Sequence, residues 1–398
     1  MDESLVSPKD IVRHILARFG PRRAGSAAEQ EAQQWLADYL STLEGVRVRQ
    51  LPFQAPLRSK FQSSRLIWPL FGAAYVLVFV FQNGLWGFLL SSLAAVFFFL
   101  HFVSYRHILD FLFSRSSSLN VEAVWEPPDG TPRRTVVLSG HIDSTPEFIW
   151  WYRLGHVSAQ WMVLSGALLM LFPAVALLGW IWNPIQDSVL WKTAVPSVWS
   201  LALLGSLQFI FIHGRRVVDG AQDNLSGIAC ALHTFRQCVH NKSLRNTRLV
   251  FVSFGAEETG LRGSDHYVRH HVAKAYPDSE VLNINLDGIL LTNHLNFITA
   301  EPSIWIRHNA ALIQRLRASF EACGLPTGKG PLWIGATDGA SFARHGYRSA
   351  TLVGLPLGRL HPTYHTRRDT LDQLDGPGLV KVCKALEKAL SEIDSQDV

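Results

Sequence analysis

Four long stretches without a charged residue constrain the fold of this chain more than any other feature. They run from Leu66 to Phe81, from Leu85 to Val103, from Trp161 to Trp182 and from Ala194 to Ile212. A helix that spans a bilayer needs about 17–25 predominantly apolar residues. The four stretches therefore predict two transmembrane helical hairpins, inserted at residues 61–115 and 151–212. A re-entrant hairpin, or helices buried in the core of a soluble protein, are the alternatives.

The rest of the chain alternates predicted strands with predicted helices. Apolar runs predict strands at residues 46–53, 120–125, 134–139, 247–254, 281–286 and 349–353. Helical periodicity is found at residues 8–19, 27–43, 225–239, 263–275, 305–323 and 376–393. This alternation predicts an α/β fold with a mixed, mostly parallel sheet sandwiched by helices. We expect residues 1–60, 116–150 and 213–398 to form that domain, with the turn-rich stretch Glu126–Pro132 joining two antiparallel strands.

Composition excludes several classes of protein. The chain has 48% hydrophobic and 17% charged residues, against about a quarter charged in ordinary soluble domains. A net charge of +5 with dispersed cations predicts no nucleic-acid partner. The four cysteines have no CxxC spacing and are expected to be reduced, buried thiols. The acidic start Met1–Asp10 lacks an apolar core, so no secretory signal peptide is expected.

The strand predicted at residues 247–254 is followed by two adjacent carboxylates, Glu257 and Glu258, in a glycine-rich loop. Burying two like charges costs several kcal/mol unless a cation compensates them. A metal site is therefore one interpretation. A strand followed by a solvated helix N-terminus, where acidic side chains favour the helix dipole, is the other. Partners elsewhere in the chain have to decide between them.

Four further polar motifs lie near predicted strand ends or in loops, where α/β sheets carry their chemistry. They are His141-Ile142-Asp143, Asp223-Asn224-Leu225-Ser226-Gly227, Asn285-Leu286-Asp287-Gly288 and Tyr364-His365-Thr366-Arg367-Arg368-Asp369-Thr370. Each one alone is also typical of a helix cap, a turn or a structural histidine. Their occurrence together, in this order, is the informative feature.

In this order the five motifs resemble the co-catalytic dizinc metallopeptidases of peptidase family 28. That family includes secreted bacterial leucyl aminopeptidases, glutamate carboxypeptidase and relatives of the transferrin receptor. The resemblance covers the N-terminal helices, roughly Val121 to Asp143, and Val218 to the C-terminus, but neither hairpin. It implies a zinc-exopeptidase-like fold that binds two Zn²⁺ ions per chain.

The resemblance also implies a role for each motif residue. Asp223 would bridge the two zinc ions. His141 and Asp287 would complete one zinc site, and Glu258 and His365 would complete the other. The catalytic residues would be Glu257 as general base, Asp143 as the partner that orients His141, and Tyr364 as a donor to the oxyanion. Gln222 and the stretch Asp338–Phe342 depart from the family pattern, which leaves the substrate preference open. For Tyr364, packing beside the ligand loop is the equally plausible alternative.

These expectations combine into a functional hypothesis: a membrane-anchored zinc exopeptidase, specifically an aminopeptidase, that acts on peptides at a lipid bilayer. An amidohydrolase of N-acyl amino acids or lipid-like amides, and a catalytically silent membrane scaffold, are the alternatives. The positive-inside rule predicts a four-helix, multi-pass protein with a cytoplasmic catalytic domain. This orientation follows from a count of Lys and Arg near the apolar stretches. The turns within the hairpins contain one, Lys192. The ends that join the catalytic domain contain seven: Lys60, Arg65, Arg106, Arg115, Arg153, Arg215 and Arg216. The native metal, the substrate and the oligomeric state are left open.

Overall fold

A computed structural model describes residues 5–128 and 132–395. The first four residues of the acidic N-terminus and residues 129–131 of the predicted turn lie outside this description. The chain forms two compact units. Unit 1 comprises Met1–Leu57, Arg115–Pro146 and Arg216–Val398, and unit 2 comprises Arg58–Ser114 and Glu147–Arg215.

The strands and helices are numbered in chain order. The strands are β1 (Val46–Ala55), β2 (Ser116–Trp125), β3 (Arg134–His141), β4 (Pro146–Phe148), β5 (His213–Val217), β6 (Thr247–Phe254), β7 (Glu280–Ile289), β8 (Leu295–Glu301), β9 (Ile306–Arg307), β10 (Thr327–Pro331) and β11 (Arg348–Gly354). The helices are α1 (Pro8–Phe19), α2 (Ala27–Ser41), α3 (Ser59–Gln62), α4 (Ser64–Phe79), α5 (Gly84–Phe97), α6 (Ile149–Leu154), α7 (His156–Ile181), α8 (Val189–Lys192), α9 (Ala194–Ile210), α10 (Gly227–Asn241), α11 (Arg262–Tyr267), α12 (Ala273–Ala275), α13 (Ala310–Ala322), α14 (Asp338–Arg344) and α15 (Gly376–Ser395).

Unit 1 is built on a nine-stranded mixed sheet. Its strand order is β1-β2-β6-β3-β7-β11-β8-β10, and β9 pairs with β8. The four central strands β6, β3, β7 and β11 are parallel, whereas β1, β2 and β8 pair antiparallel with their inner neighbours. The predicted mixed α/β sheet flanked by helices is confirmed. Because β3 lies between two parallel strands, all eight of its residues are buried.

Residues along the central strands alternate between two apolar layers. Leu249 and Phe251 of β6 belong to the larger core, which α1, α2, α10, α13 and α15 complete on one face of the sheet. Val250 and Val252 belong to a smaller core on the other face, together with Tyr267 of α11. This alternation follows from the period of two along a strand. It requires apolar residues on both faces, which explains the uninterrupted apolar run in the sequence.

The start of one helix and the number of strands differ from the sequence prediction. The helix predicted to begin at Trp305 begins at Ala310, because the Asn309 side chain accepts a hydrogen bond from the Leu312 N–H (2.8 Å) and acts as its N-cap. Just before it, the short strand β9 pairs with the end of β8. Strands β8 and β10, which the apolar pattern did not predict, extend the sheet beyond β11.

Unit 2 contains the long apolar helices. In the described part of the chain, three helices are long and apolar enough to cross a membrane: Gly84–Val103, His156–Ile181 and Val189–Ile210. The helix of the first predicted span, α4, has 16 residues, about 24 Å at 1.5 Å per residue, against a hydrocarbon core of about 30 Å. Four full spans therefore remain a prediction.

The helices of unit 2 pack closely through small residues. A Cβ on Gly87 of α5 would lie 2.3 Å from Val78 of α4, so only glycine allows this approach. Such small-residue crossings are typical of helices that associate in lipid. Large apolar side chains such as Leu171 and Leu204 are meanwhile 57% and 62% exposed. Unit 2 thus carries an apolar exterior as well as an apolar interior.

Candidate metal centre

The predicted ligands converge at the edge of the sheet where the parallel strands end. His141 is the last residue of β3, and Glu257 and Glu258 follow the end of β6. Asp287 lies near the end of β7. Since β3 is parallel to both β6 and β7, these carboxyl ends meet at one edge.

One ligand group consists of His141, Asp223 and Asp287. The His141 Nε2 atom lies 3.3 Å from Asp223 Oδ1 and 3.9 Å from Asp287 Oδ1. Asp223 belongs to the turn Ala221–Ser226, immediately before α10. The turn carries this carboxylate to the ends of the neighbouring strands.

A second ligand group consists of Asp223, Glu258 and His365. The His365 Nε2 atom lies 3.1 Å from Asp223 Oδ2 and 3.3 Å from Glu258 Oε2. Asp223 therefore presents Oδ1 to one histidine and Oδ2 to the other. A carboxylate between two groups in this way is suited to bridging two cations.

The donor set and its spacing fit zinc. Zinc binds histidine nitrogen and carboxylate oxygen at about 2.0–2.2 Å in tetrahedral sites, so two ligands of one ion lie about 3.3 Å apart. Three of the four ligand separations given above, at 3.1, 3.3 and 3.3 Å, match this tetrahedral edge. The residues present are therefore able to hold two zinc ions that share Asp223.

The electrostatics of the cluster also favour a cation. Burial raises the pKa of Glu257 well above its ordinary value; His141 opposes this effect, and the surrounding carboxylates add to it. Asp287 behaves in the same way. Burial lowers the pKa of His365, but Glu258 and Asp223 raise it more, to about 9. Such a surplus of buried carboxylates is what a divalent cation compensates.

Glu257 stands beside the ligand groups and belongs to neither of them. Its Oε2 atom lies 3.7 Å from His141 Nε2, and only 8% of the residue is exposed. Its neighbour Glu258 belongs to the second ligand group. The two adjacent glutamates thus occupy different positions relative to the two ligand groups.

Asp143 contacts His141 less directly than expected. The His141 Nδ1 atom is 3.1 Å from the backbone oxygen of Asp143 and 3.5 Å from its Oδ1 atom. The carboxylate instead accepts hydrogen bonds from the backbone N–H groups of Glu257 (3.0 Å) and Glu258 (3.1 Å). Asp143 therefore lies against His141 and also fixes the loop that carries Glu257 and Glu258, the glutamate loop.

Two further side chains fix the Asp223 turn, and the sequence did not reveal their roles. The Asp369 carboxylate accepts hydrogen bonds from the N–H groups of Gln222 (2.6 Å) and Asp223 (3.1 Å). The Asn224 side chain donates to Leu286 O (2.8 Å) and accepts from the Gly288 N–H (3.1 Å), so it joins the turn to the residues that flank Asp287. Both residues lie inside recognised motifs, which was the available signal.

Glu29 of α2 supports the glutamate loop from the opposite direction. This fully buried carboxylate accepts hydrogen bonds from the Ala256 N–H (2.9 Å), the Gly25 N–H (2.6 Å) and the Ser118 hydroxyl (2.9 Å). Burial and the nearby Asp143 raise its pKa to about 8. Its spacing to Leu36 and Leu40 places Glu29 on the buried face of α2, and sequence reasoning missed it because acidic residues are almost never fully buried unless paired.

Tyr364 lies beside the ligand loop. Its ring stacks on that of His365 at a centroid distance of 3.8 Å and an interplanar angle of 16°. Stacking of this kind fits the packing role considered from the sequence. The oxyanion role of Tyr364 remains a prediction.

Comparison with known proteins agrees with this geometry. Residues 203–390 match the model of a family described as "Peptidase family M28". This range includes every predicted ligand except His141. This part of the chain is similar to peptidase family M28. Aminopeptidase YwaD of Bacillus subtilis is 31% identical over 164 residues, which are 39% of this chain and 33% of that protein. A probable leucine aminopeptidase 1 of Trichophyton verrucosum is 27% identical over 187 residues, 44% of this chain and 48% of that protein. The chain therefore spans between a third and about half of the length of these two relatives.

Solved structures show that the fold is shared more widely than the sequence. BSAP, a zinc aminopeptidase from Bacillus subtilis, superposes with a TM-score of 0.57 at 15% identity, covering 99% of this chain and 96% of that one. The glutaminyl cyclase of Porphyromonas gingivalis superposes with a TM-score of 0.59 at 16% identity, covering 98% of both chains. At these identities the likeness shows the fold alone, and proteins with two different names share it.

Proposed function

We propose that this protein is a membrane-anchored, zinc-dependent exopeptidase, an aminopeptidase that hydrolyses the amide bond of short peptides. The observation that carries the proposal is the pair of ligand groups that share Asp223, with the Glu257 carboxylate beside them. The aminopeptidase names of the relatives support the same reaction class.

The residues divide the work of hydrolysis between them. The two ligand groups would hold the zinc pair, which would lower the pKa of a water molecule and polarise the amide carbonyl. Glu257 accepts the proton of that water at its carboxylate and returns it to the leaving amine. Glu257 lies 3.7 Å from His141 and outside both ligand groups, so its carboxylate is placed to act as the base. Asp143 holds the Glu257 backbone in place through the N–H contact described above.

Tyr364 is proposed as a hydrogen-bond donor to the oxyanion that develops on the substrate carbonyl. Its place next to His365, a member of the second ligand group, supports this assignment. A Tyr364→Phe variant keeps the stacked ring and removes only the hydroxyl. The proposal expects a lower kcat with unchanged zinc content, and an unchanged kcat would assign Tyr364 to packing alone.

Membrane anchoring through unit 2 is part of the proposal. The three helices apolar enough to span a bilayer, and their exposed apolar side chains, support it. The excess of cations on the domain side predicts a cytoplasmic catalytic unit. A protease added to oriented vesicles should then cleave unit 1 only from the cytoplasmic face. Cleavage from the opposite face would reverse the orientation.

The central experiment uses the purified full-length protein. Zinc content is measured first, and near two ions per chain is expected. Activity is then measured on peptides with free and with acetylated N-termini and on N-acyl amino acids. Glu257→Gln should lose about 10²–10⁴-fold in kcat while retaining zinc, and Glu44→Gln, at an exposed position, should match the wild type.

Each alternative predicts a different outcome of this experiment. Hydrolysis of N-acyl amino acids, with no cleavage of free-amino peptides, would favour an amidohydrolase. A protein that takes up no zinc would favour a catalytically silent scaffold. Full activity of the Glu257→Gln variant would remove Glu257 as the base.

A further inference from the structure

A buried arginine outside the recognised motifs contacts two of the ligand-bearing segments. Arg22 lies in the connection between α1 and α2, is 0% exposed, and is among the largest fully buried side chains of the described residues. Arginine is almost never fully buried unless charges and hydrogen bonds compensate it. The partners of Arg22 therefore indicate what retains it there.

The guanidinium group donates to three backbone carbonyl oxygens. Its Nε atom donates to Ile142 O (2.9 Å), and Ile142 lies between His141 and Asp143. One terminal nitrogen donates to Asp219 O (2.9 Å), at the start of the segment that leads to Asp223. The other donates to Gly20 O within the same connection. The planar fork thus joins the His141 segment to the Asp223 segment.

The backbone of Arg22 strengthens the same junction through Ser144. The Arg22 N–H donates to Ser144 Oγ (3.0 Å), and the Ser144 N–H donates to Arg22 O (2.8 Å). The Ser144 hydroxyl then donates to Val218 O (2.9 Å). The guanidinium group of Arg22 and the backbone hydrogen bonds between Arg22 and Ser144 therefore connect the same two segments.

The positive charge of Arg22 also interacts with nearby buried carboxylates. The charged groups that act on it most strongly are Asp143 and Asp369. Asp143 accepts the N–H groups of Glu257 and Glu258, and Asp369 accepts that of Asp223. Burial lowers the pKa of Arg22 to about 10, while these carboxylates oppose the effect. At neutral pH the guanidinium is therefore protonated and compensates both supporting carboxylates.

We propose that Arg22 is a positioning residue that holds the His141 and Asp223 segments at the spacing that zinc requires. It touches neither metal nor substrate and acts through the backbone of the two segments. The proposal rests on the zinc binding proposed above. It predicts that Arg22 governs metal affinity, beyond the contribution that any buried arginine makes to stability.

Arg134 provides the matched control. It is also buried, at 3% exposure, and it donates to a backbone carbonyl, Ile393 O (2.5 Å). It begins β3, whereas His141 ends the same strand. Replacing Arg134 by methionine therefore removes a buried guanidinium from the same unit, at the far end of the strand that carries His141.

The test measures zinc affinity by competition with a chromophoric chelator, using full-length wild type, Arg22→Met, Arg22→Lys and Arg134→Met. Second-layer substitutions at metal sites cost about 10–100-fold in affinity, and this loss is expected for Arg22→Met. Arg22→Lys should lose less, because the ammonium keeps the charge but cannot contact three carbonyl oxygens at once. Arg134→Met should lower the unfolding temperature and bind zinc within about threefold of wild type.

Equal loss of zinc affinity in Arg22→Met and Arg134→Met would reduce Arg22 to a structural residue. Zinc affinity of Arg22→Met within threefold of wild type would overturn the proposal outright. If Arg22→Met does not fold, Arg22→Lys decides the question by the same criterion. Failure of the proposed function appears separately, as a wild type that binds no zinc or hydrolyses no substrate.

Discussion

Asp143→Asn tests whether the glutamate loop depends on a carboxylate with two equivalent acceptors. Oδ1 accepts the Glu257 N–H and Oδ2 accepts the Glu258 N–H, at 3.0 and 3.1 Å. Asparagine has nearly the same shape but only one acceptor oxygen. Its amide NH₂ group would face the second backbone N–H, so one hydrogen bond is lost and two donors oppose each other.

The size of the effect follows from the lost contact. A hydrogen bond to a charged group contributes about 1.5–3 kcal/mol, and every 1.4 kcal/mol corresponds to a factor of ten. We therefore expect a loss of about 10- to 150-fold. The loss should appear in kcat/KM, because the Glu257 carboxylate is displaced, and in zinc affinity, because Glu258 follows on the same loop.

The assay compares peptide hydrolysis and zinc competition for wild type, Asp143→Asn and Asp38→Asn. Asp38 is the control, since its carboxylate lies on the surface of α2 and accepts only from Gln34 among the hydrogen bonds described (2.8 Å). Asp38→Asn should behave as the wild type. If Asp143→Asn also stays within threefold of wild type in both measurements, the paired N–H contacts do not position the loop.

Three other outcomes are expected. Removing zinc with a chelator should lower the unfolding temperature, because zinc at 1,000 times its Kd stabilises the folded protein by about 4 kcal/mol per site. If the zinc content falls but the unfolding temperature does not change, the metal centre is not part of the folded structure. Gly263→Ala should destabilise by about 1–3 kcal/mol, since the new Cβ would lie 2.2 Å from Gly255 O; Gly72→Ala, where the space is open, is the control in thermal unfolding. Burial raises the pKa of Glu122, but hydrogen bonds from His271, Tyr276 and Tyr267 oppose burial, and the net result is a lowered pKa. The ionised Glu122 carboxylate therefore stabilises the fold above its unfolded-state pKa of about 4.3. This stabilisation is lost as the pH falls through the lower pKa of the folded state. Unfolding temperatures should therefore fall less steeply on acidification in Glu122→Gln than in wild type, and parallel curves would rule the contribution out.

The candidate metal-ligating residues could be predicted from the sequence because each lies in a short polar motif close to a recognisable strand or helix. His141 and Asp287 lie at the ends of apolar strands, and parallel strands bring their carboxyl ends together. Glu258 and His365 needed the family resemblance in addition. The structure brings all these residues into the two groups that share Asp223.

The supporting residues were not predicted, because charged side chains are almost never fully buried unless paired, and the partners of these residues are distant in the sequence. Glu29 lies in a helix whose other acidic residues face solvent, and Arg22 lies in a glycine- and proline-containing connection. Burial of either residue depends on contacts more than 100 positions away, as the Arg22–Ile142 and Glu29–Ala256 separations show. A periodic pattern reports which face of an element is apolar, not which polar residue meets a distant backbone.

The same reasoning explains the strands that were missed. Strand β10 reads Thr-Gly-Lys-Gly-Pro, and it contains neither the β-branched alternation nor the aromatic residues that predict a strand. It forms because β8 offers it a parallel edge. Pairing between distant segments outweighs local propensity at the edge of this sheet.

The division of unit 1 into three separate chain segments determines when its sheet can be completed during synthesis. β3 pairs with β6 and β7, and both are synthesised after the long helices α7 and α9. At roughly 5–20 residues per second, the roughly 100 residues between β3 and β6 take roughly 5–20 s to make. Throughout that interval the strand that ends in His141 has neither of its neighbours. The apolar helices are therefore made before the edge of the sheet that carries the candidate ligands can assemble, and the folding of unit 1 is completed only after the whole of unit 2 has been synthesised.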